Sequence, residues 1–240
     1  MRRILITITF LGAVYSPHVI ADEFSEPWKN PSTALVIDPF YGNDINWNKM
    51  GSETRLAGII HKATIGTSKV DPKYYERKAK AKKLGYLWGS YHFGLAGTPE
   101  KQADFYLETV KPADDEVMAL DLEDTMSNKF MGIAKAIKFI ARIKEKTGRY
   151  PMVYVNNTSA FQISNSASKS AFKDTPLWYA RFRRDIPDFP KGAWATYTLW
   201  QFSSEINVQY RIPGTQADMD INVFNGSVDE VRKAWPFTKK

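Results

Sequence analysis

Eight short apolar runs alternate with longer helical patterns along this chain, and no other feature of the sequence constrains the fold as strongly. The runs occupy residues 34–38, 57–64, 86–93, 117–123, 151–156, 177–182, 197–202 and 219–224. Short apolar runs of this kind are typical of buried strands, whereas the amphipathic segments between them indicate helices. Strands that alternate with helices form parallel βαβ units.

The helical segments have start and stop signals of their own. A cap residue followed by proline begins segments 71–85 and 98–112, and an apolar stripe runs through 131–146, with Gly148 after the last turn. We predict a weaker helix at 166–172 and a C-terminal helix that begins near Ser227. The sequence therefore predicts an α/β fold, namely an irregular (β/α)8 TIM-like barrel with fewer or shortened helices. The alternative is an open doubly wound sheet, which the lack of a glycine-rich phosphate loop after the first run disfavours.

The N-terminus has the pattern of an export signal. Arg2 and Arg3 precede an apolar run at 4–15, and Ala21 ends a short segment suited to cleavage. A membrane anchor is disfavoured because the run is shorter than the roughly 20 residues that a span requires. We predict a signal peptide at residues 1–21, a single barrel domain at 22–240, no membrane span, and a periplasmic or secreted protein.

Composition excludes several reaction classes. The chain contains no cysteine, so disulfides, thiolate metal sites and cysteine nucleophiles are excluded. Its three histidines and the lack of a Gly-x-Ser-x-Gly motif give a serine hydrolase or a histidine-rich metal site little support. The formal net charge of +7 favours an anionic or neutral partner, for which nucleic acid and a cell-wall polymer are the candidates.

Carboxyl groups mark the ends of three predicted strands. In a parallel barrel, functional groups lie at the C-terminal ends of the strands, where this chain has Asp38, Asp121, Glu123 and Asp220. Asp121 and Glu123 are two residues apart on one strand, so both side chains point to the same face. Two close carboxyl groups separate each other's pKa values, which gives the acid and the anion that glycosidic cleavage requires. An isolated Asp-x-Glu pair is more often structural, but two further acids at the same mouth favour catalysis.

Aromatic and amide side chains also follow these strands, and acids beside aromatic platforms are typical of a carbohydrate site. Of the tryptophans that could stack on a sugar, Trp200 is favoured over Trp178 and Trp194 because it adjoins Gln201 at a strand end. We expect a substrate groove lined by Tyr91, Tyr154, Tyr179, Trp200 and Gln201.

Two other classes of function stay open on the residues alone. A metal-dependent phosphodiesterase could bind Ca²⁺ or Mg²⁺ through Asp38, Asp121, Glu123 and Asp124. A non-catalytic wall-binding protein could keep the same groove without activity.

Several segments, in this order and spacing, resemble glycoside hydrolase family 25, the Chalaropsis-type N-acetylmuramidases. They are Val36-Ile-Asp38, Gly58-Ile-Ile-His-Lys-Ala-Thr64, Gly85-Tyr-Leu-Trp-Gly-Ser-Tyr-His-Phe93, Leu120-Asp-Leu-Glu123, Leu177-Trp-Tyr-Ala180, Leu199-Trp-Gln-Phe-Ser203 and Asp220-Ile-Asn-Val-Phe-Asn-Gly226. The resemblance implies an irregular barrel that cleaves the β-1,4 bond between N-acetylmuramic acid and N-acetylglucosamine in peptidoglycan. It implies no cofactor and no metal.

The resemblance also implies roles for individual residues. Glu123 matches the proton donor of the family and Asp121 its companion acid, whereas Asp38 and Asp220 match the other acids of the pocket. Tyr91, Tyr154 and Trp200 match aromatic residues of the groove. Whether Asp121 forms a covalent bond, activates water or orients the acetamido group of the substrate stays open. We expect peptidoglycan glycan strands as the partner, no nucleic acid, and a monomer.

One loop departs from the family pattern. Members commonly have Asp-Val-Ser after the first strand, whereas this chain has Asp38-Pro-Phe-Tyr-Gly-Asn43. Because the loop borders the sugar site, the shape of that site and the preferred wall modification are left open by the resemblance.

Overall fold

The computed structural model describes residues 23–238, so the predicted signal peptide at 1–21 lies outside the described residues. Nine strands are present in this part of the chain: β1 (Thr33–Ile37), β2 (Leu56–Ile65), β3 (Lys69–Val70), β4 (Leu87–Phe93), β5 (Val117–Leu122), β6 (Met152–Asn156), β7 (Leu177–Ala180), β8 (Leu199–Ser203) and β9 (Ile221–Ser227). The α-helices in the same part of the chain are α1 (Trp47–Met50), α2 (Tyr74–Lys83), α3 (Pro99–Val110), α4 (Ile133–Thr147), α5 (Asn157–Asn165) and, after the last strand, α6 (Val228–Ala234).

The strands form a closed barrel. Their order is β1-β9-β8-β7-β6-β5-β4-β2, pairing between β1 and β2 closes the ring, and β3 is a short hairpin arm on β2. Neighbouring strands from β1 through β8 are parallel within the ring. The connections 181–198 and 204–220, which are fully described, contain no helix. The prediction of an irregular TIM-like barrel with fewer or shortened helices is therefore confirmed.

The direction of the last strand corrects the prediction of parallel units throughout. β9 is antiparallel to both β1 and β8. Asp220 therefore precedes β9, whereas the apolar run 219–224 predicts that it ends a parallel strand. The reversal nevertheless brings Asp220 to the mouth, because the start of an antiparallel strand lies beside the ends of its parallel neighbours. The backbone N–H of Asp38 donates to the carbonyl oxygen of Asp220 at 3.3 Å.

Most helices begin and end where their signals predict. Gly85 and Gly148 adopt positive φ of 81° and 75° after α2 and α4, and Ser227 and Glu230 form a capping box at the start of α6. The prediction of a helix at 166–172 is wrong. Helix α5 lies earlier in the chain, and the predicted segment contains only a 3-10 turn, Lys169–Phe172. Helix α5 begins directly after β6, where the Asn156 side chain accepts a hydrogen bond from the backbone N–H of Ser159.

The core has two layers separated by the barrel wall. Side chains alternate along each strand, so one set fills the interior and the other packs under the helices. The interior cluster includes Val36, Ala119 and Leu199, and Trp235 after α6 packs against it. Because these side chains fill the interior, the cavity that the barrel itself offers lies at its mouth. Among the described residues, no helix is both long and apolar enough to span a bilayer.

Candidate active site

A cavity of about 170 Å³ lies at the mouth of the barrel. All four acids that the sequence singled out line it, and Tyr91, Tyr154 and Gln201 line it as well. The structure also brings in four side chains that the sequence analysis did not assign to the site: Phe40, Lys62, Phe93 and Trp178. The alternating directions of the strand side chains account for Lys62, Phe93 and Trp178, since every second residue of a strand points into the barrel, whereas Phe40 comes from the loop after β1.

Asp38 at the end of β1 is held by two buried amides. Gln201 donates from Nε2 to Oδ2 at 2.7 Å, and Asn222 donates from Nδ2 to Oδ1 at 2.6 Å. Tyr154 donates to Gln201, and Trp178 donates to Asn222, so the amides are themselves oriented. Burial, and next the charge of Asp220, raise the pKa of Asp38 well above its usual value, although the two amide donors lower it.

Asp121 near the end of β5 is 6% exposed, and its Oδ1 is buried without a hydrogen-bond partner in the described structure. Burial, and next the charge of Glu123, raise the pKa of Asp121 well above its usual value, whereas Lys62 lowers it. A buried acceptor without a donor is costly unless a ligand supplies one. Asp121 is therefore suited to accept a hydrogen bond or to face a developing positive charge in a bound substrate.

Glu123 follows β5 and is half-buried, so it is more accessible than Asp121. Burial raises the pKa of Glu123 and Lys62 opposes that rise. Its backbone carbonyl accepts a hydrogen bond from Asn156 Nδ2 at 2.7 Å, which fixes the end of the strand. An accessible carboxyl with a raised pKa is suited to donate a proton.

Asp220 completes the acidic cluster. Burial, followed by the charges of Glu205 and Glu123, raises the pKa of Asp220 to about 7. The four carboxyl groups thus share a small space in which their pKa values all lie above normal. Such a cluster keeps its protons to higher pH than isolated carboxyl groups do, and its members titrate as a coupled set.

Lys62 on β2 is the one cation among the residues that line this cavity. Its ammonium lies 4.8 Å from the centre of the Phe93 ring, 5.4 Å from that of Phe40 and 5.5 Å from that of Tyr91. Cation–π contacts of this length hold an ammonium without neutralising it. Lys62 lies in the second apolar run, and its place on the inward face of β2 is the signal from which this residue could have been found.

Two predicted groove residues lie elsewhere. Tyr179 and Trp200 are fully buried in the layer outside the barrel, and Trp200 donates to the carbonyl oxygen of Arg181 at 2.7 Å. Because Gln201 points into the barrel, its neighbour Trp200 must point outward, and the same alternation turns Trp178 inward and Tyr179 outward. Trp178 therefore takes the place that Trp200 was expected to occupy. Its ring packs edge-on against Tyr154, with centroids 5.0 Å apart.

The acids are poorly arranged for a metal ion. Among residues 23–238, no group of three or more His, Cys, Asp or Glu side chains could hold one. Both oxygens of Asp38 already accept hydrogen bonds from amides. His92, which lies within β4, is buried and hydrogen-bonded to Thr64 and Gln102 in the core. This donor set gives the metal-dependent alternative no support.

Comparison with known proteins agrees with the family resemblance that the sequence motifs indicate. The sequence profile described as Glycosyl hydrolases family 25 matches residues 39–210. The chain is 31% identical over 192 residues to the N,O-diacetylmuramidase of a Chalaropsis species, which covers 73% of this chain and 86% of that protein. It is 30% identical over 200 residues to Lysozyme M1 of Streptomyces globisporus, across 76% of this chain and 64% of the relative. The crystal structure of a bacterial lysozyme from Streptomyces coelicolor superposes with a TM-score of 0.70 at 26% identity, covering 84% of this chain and 96% of the other.

Proposed function

This chain belongs to glycosyl hydrolase family 25, and we propose that it is a lysozyme that cleaves the β-1,4 bond between N-acetylmuramic acid and N-acetylglucosamine in peptidoglycan. The observation that carries the proposal is the pair Asp121 and Glu123, two carboxyl groups from one strand end in a pocket with raised pKa values. Such a pair supplies the proton and the negative charge that hydrolysis of a glycosidic bond needs.

Glu123 acts as the proton donor in this proposal. Its half-buried carboxyl is reachable from solvent, and burial raises its pKa, which favours the protonated form that a donor needs. The leaving glycosidic oxygen takes that proton as the bond to the anomeric carbon breaks. The Asn156 amide holds the backbone of Glu123, so the carboxyl is presented from a fixed position.

Asp121 supplies negative charge on the side of the anomeric carbon. Its unpartnered Oδ1 faces no protein donor, and the nearby ammonium of Lys62 opposes the rise in its pKa that burial and the charge of Glu123 cause. Asp38 and Asp220 add to the negative potential at which an oxocarbenium-like centre is stabilised. Tyr91, Tyr154, Trp178 and Gln201 form the walls against which the sugar is placed.

The test compares the protein with Glu123→Gln on purified peptidoglycan, followed by borohydride reduction and mass spectrometry. We expect fragments that end in reduced muramic acid, at least a hundredfold fewer with Glu123→Gln, and full activity in the control Glu108→Gln, whose side chain is exposed on α3. Reduced glucosamine ends would refute the assigned bond. Loss of activity in EDTA would point to the metal-dependent phosphodiesterase, and a lack of fragments from several walls would point to a binding protein.

The proposal extends to the setting of the enzyme. A substrate outside the cytoplasm fits an exported protein with a signal peptide at residues 1–21 and a catalytic domain at 22–240, which acts as a monomer on glycan strands. N-terminal sequencing of the exported protein is expected to begin at Asp22, and an unprocessed N-terminus would refute the cleavage site.

A further inference from the structure

The loop after β1 places two adjoining aromatic rings at the mouth of the barrel. Phe40 lines the cavity together with Asp38 and Glu123. Tyr41 is next to it and 53% exposed, so its ring is accessible to a ligand. The two rings meet edge to face with centroids 5.4 Å apart. They form a continuous aromatic surface that runs from the pocket onto the rim.

Buried polar side chains hold the backbone of this loop. Asn43 is 2% exposed, accepts from the backbone N–H of Phe40 at 2.8 Å and donates to the carbonyl oxygen of Asp218 at 3.0 Å. Arg77 of α2 is also buried and donates to the carbonyl oxygens of Phe40 and Asn43. Rings on a clamped backbone lose little conformational entropy when a ligand binds them.

Gly42 sets the position of the Phe40 ring. A Cβ atom at residue 42 would lie 2.5 Å from Cε2 and 2.6 Å from Cζ of Phe40. The ring therefore folds back over the glycine, and any other residue there would displace it. The segment from Asp38 to Asn43 thus contains both rings, the glycine that leaves room for the Phe40 ring, and Asn43, which helps to hold the loop.

The size of the cavity explains what such a surface is needed for. Its volume of about 170 Å³ accommodates only a small part of a polymeric glycan, so the neighbouring sugar must lie on the rim. The C–H face of a pyranose ring is apolar and flat, and it matches the face of an aromatic ring in shape and polarity. On the rim next to Phe40, Tyr41 presents such a face.

We propose that Phe40 and Tyr41 form an aromatic subsite that stacks on the N-acetylhexosamine unit adjoining the cleaved bond. The inference rests on the proposed function, because it assigns a further binding position to the same glycan. The subsite selects for an uninterrupted sugar face at this position. A bulky substituent on that face would separate the sugar from the rings.

A binding experiment tests the subsite separately from catalysis. The probe is a peptide-free tetrasaccharide of alternating N-acetylmuramic acid and N-acetylglucosamine, titrated calorimetrically into the Glu123→Gln protein. We expect Phe40→Ala and Tyr41→Ala each to raise Kd about threefold to tenfold, and Phe40→Tyr to restore binding. Gly42→Ala keeps both rings and is expected to weaken binding because it displaces Phe40. Tyr75→Ala removes an equally exposed tyrosine from α2 and is the control, with an unchanged Kd.

The outcomes separate the two proposals. Unchanged Kd values in Phe40→Ala, Tyr41→Ala and Gly42→Ala would overturn the subsite and leave the muramidase untouched. A tetrasaccharide that fails to bind any variant, together with no cleavage of peptidoglycan by the unmutated protein, would overturn both. Thermal unfolding of each variant shows whether a weaker affinity comes from misfolding. Normal binding by Phe40→Tyr would show that the loss in Phe40→Ala comes from the missing ring.

Discussion

At the scale of the residue, one ammonium group sets the charge of the site. Lys62 lowers the pKa values of Asp121, Glu123 and Asp220, each of which burial raises. Aromatic rings surround the ammonium, so its field acts through a medium of low dielectric constant. The balance between one cation and four carboxyl groups therefore decides which acids hold protons.

We expect Lys62→Met to move the pH profile of kcat/KM to higher pH. Without the ammonium, the pKa values of Asp121 and Glu123 both rise, because the contribution that lowers them is lost. The acid limb follows the group that must lose its proton and the basic limb follows the group that must keep it, so both limbs shift in the same direction. Kinetics on soluble peptidoglycan fragments from about pH 3 to about pH 9 measure the shift.

Lys69→Met is the matched control for this experiment. Lys69 is exposed on β3, so its replacement removes the same charge from the protein outside the pocket. Its pH profile is expected to stay in place. An equal shift in both variants would mean that net charge alone moves the profile, and a fixed profile in Lys62→Met would contradict the role of the ammonium.

At the scale of the element, features that depend on neighbouring residues could be predicted from the sequence, and features that depend on contacts between distant residues could not. Apolar runs and caps depend on neighbouring residues, so the strands and most helices could be predicted. The direction of β9 depends on the connection 204–220, which has no helix and so delivers the chain to the mouth. Phe40 could not be assigned because Arg77, which is distant in sequence, fixes its loop.

The error over Tyr179 and Trp200 has a different origin. The apolar runs 177–182 and 197–202 predict both strands, but an apolar run alone does not determine which of its side chains point into the barrel. Strand periodicity contains that information once one residue is placed. Tyr154 pairs with Trp178 in the register of β6 and β7, so their side chains share a face. With Tyr154 inside the barrel, Trp178 is the tryptophan that the register brings into the pocket.

Asn156 lies at the boundary between β6 and α5, and the effects of its two side-chain hydrogen bonds can be separated by mutation. Its side-chain oxygen caps α5 and its amide nitrogen holds the carbonyl of Glu123. Serine caps a helix but lacks the amide donor. We expect Asn156→Ser to keep stability within about 0.5 kcal/mol and to lower kcat severalfold, whereas Asn156→Ala also costs about 1 kcal/mol of stability.

Urea unfolding and steady-state kinetics on the same preparations measure both effects. The exposed cap Ser168, which makes no capping hydrogen bond, provides a control in Ser168→Ala, for which neither quantity is expected to change. If Asn156→Ser retained full kcat, the bond to Glu123 would have no part in positioning the acid.

At the scale of the whole molecule, the acidic cluster should weaken the fold that holds it. Four carboxyl groups with raised pKa values are ionised at lower pH in the unfolded chain than in the barrel. Folding therefore opposes their ionisation, and the free energy of unfolding falls as they lose protons. Active sites commonly reduce stability in this way, since their charges are arranged for the transition state.

Asp220→Asn is expected to stabilise the protein above neutral pH while it lowers activity. The pKa of Asp220 is about 7 in the folded protein against 3.8 for an unperturbed Asp, so between these values the folded state binds the extra proton. Stability that Asp220 contributes is therefore complete below about pH 4 and is lost as pH rises through about 7. The asparagine cannot ionise, so Asp220→Asn raises the free energy of unfolding at about pH 8. Because solvent reaches the half-buried carboxyl group of Asp220 and screens its charge, we expect a gain on the order of 2 kcal/mol only.

Urea unfolding of both proteins across this pH range measures the gain, which should disappear toward about pH 4. Asp174→Asn replaces an exposed aspartate before β7 and is expected to track the unmutated protein at every pH. A gain that were the same at both ends of the range would arise from packing and not from ionisation. A gain that grows through the titration of Asp220 would show that the charge required at the mouth of the barrel is the charge that destabilises it.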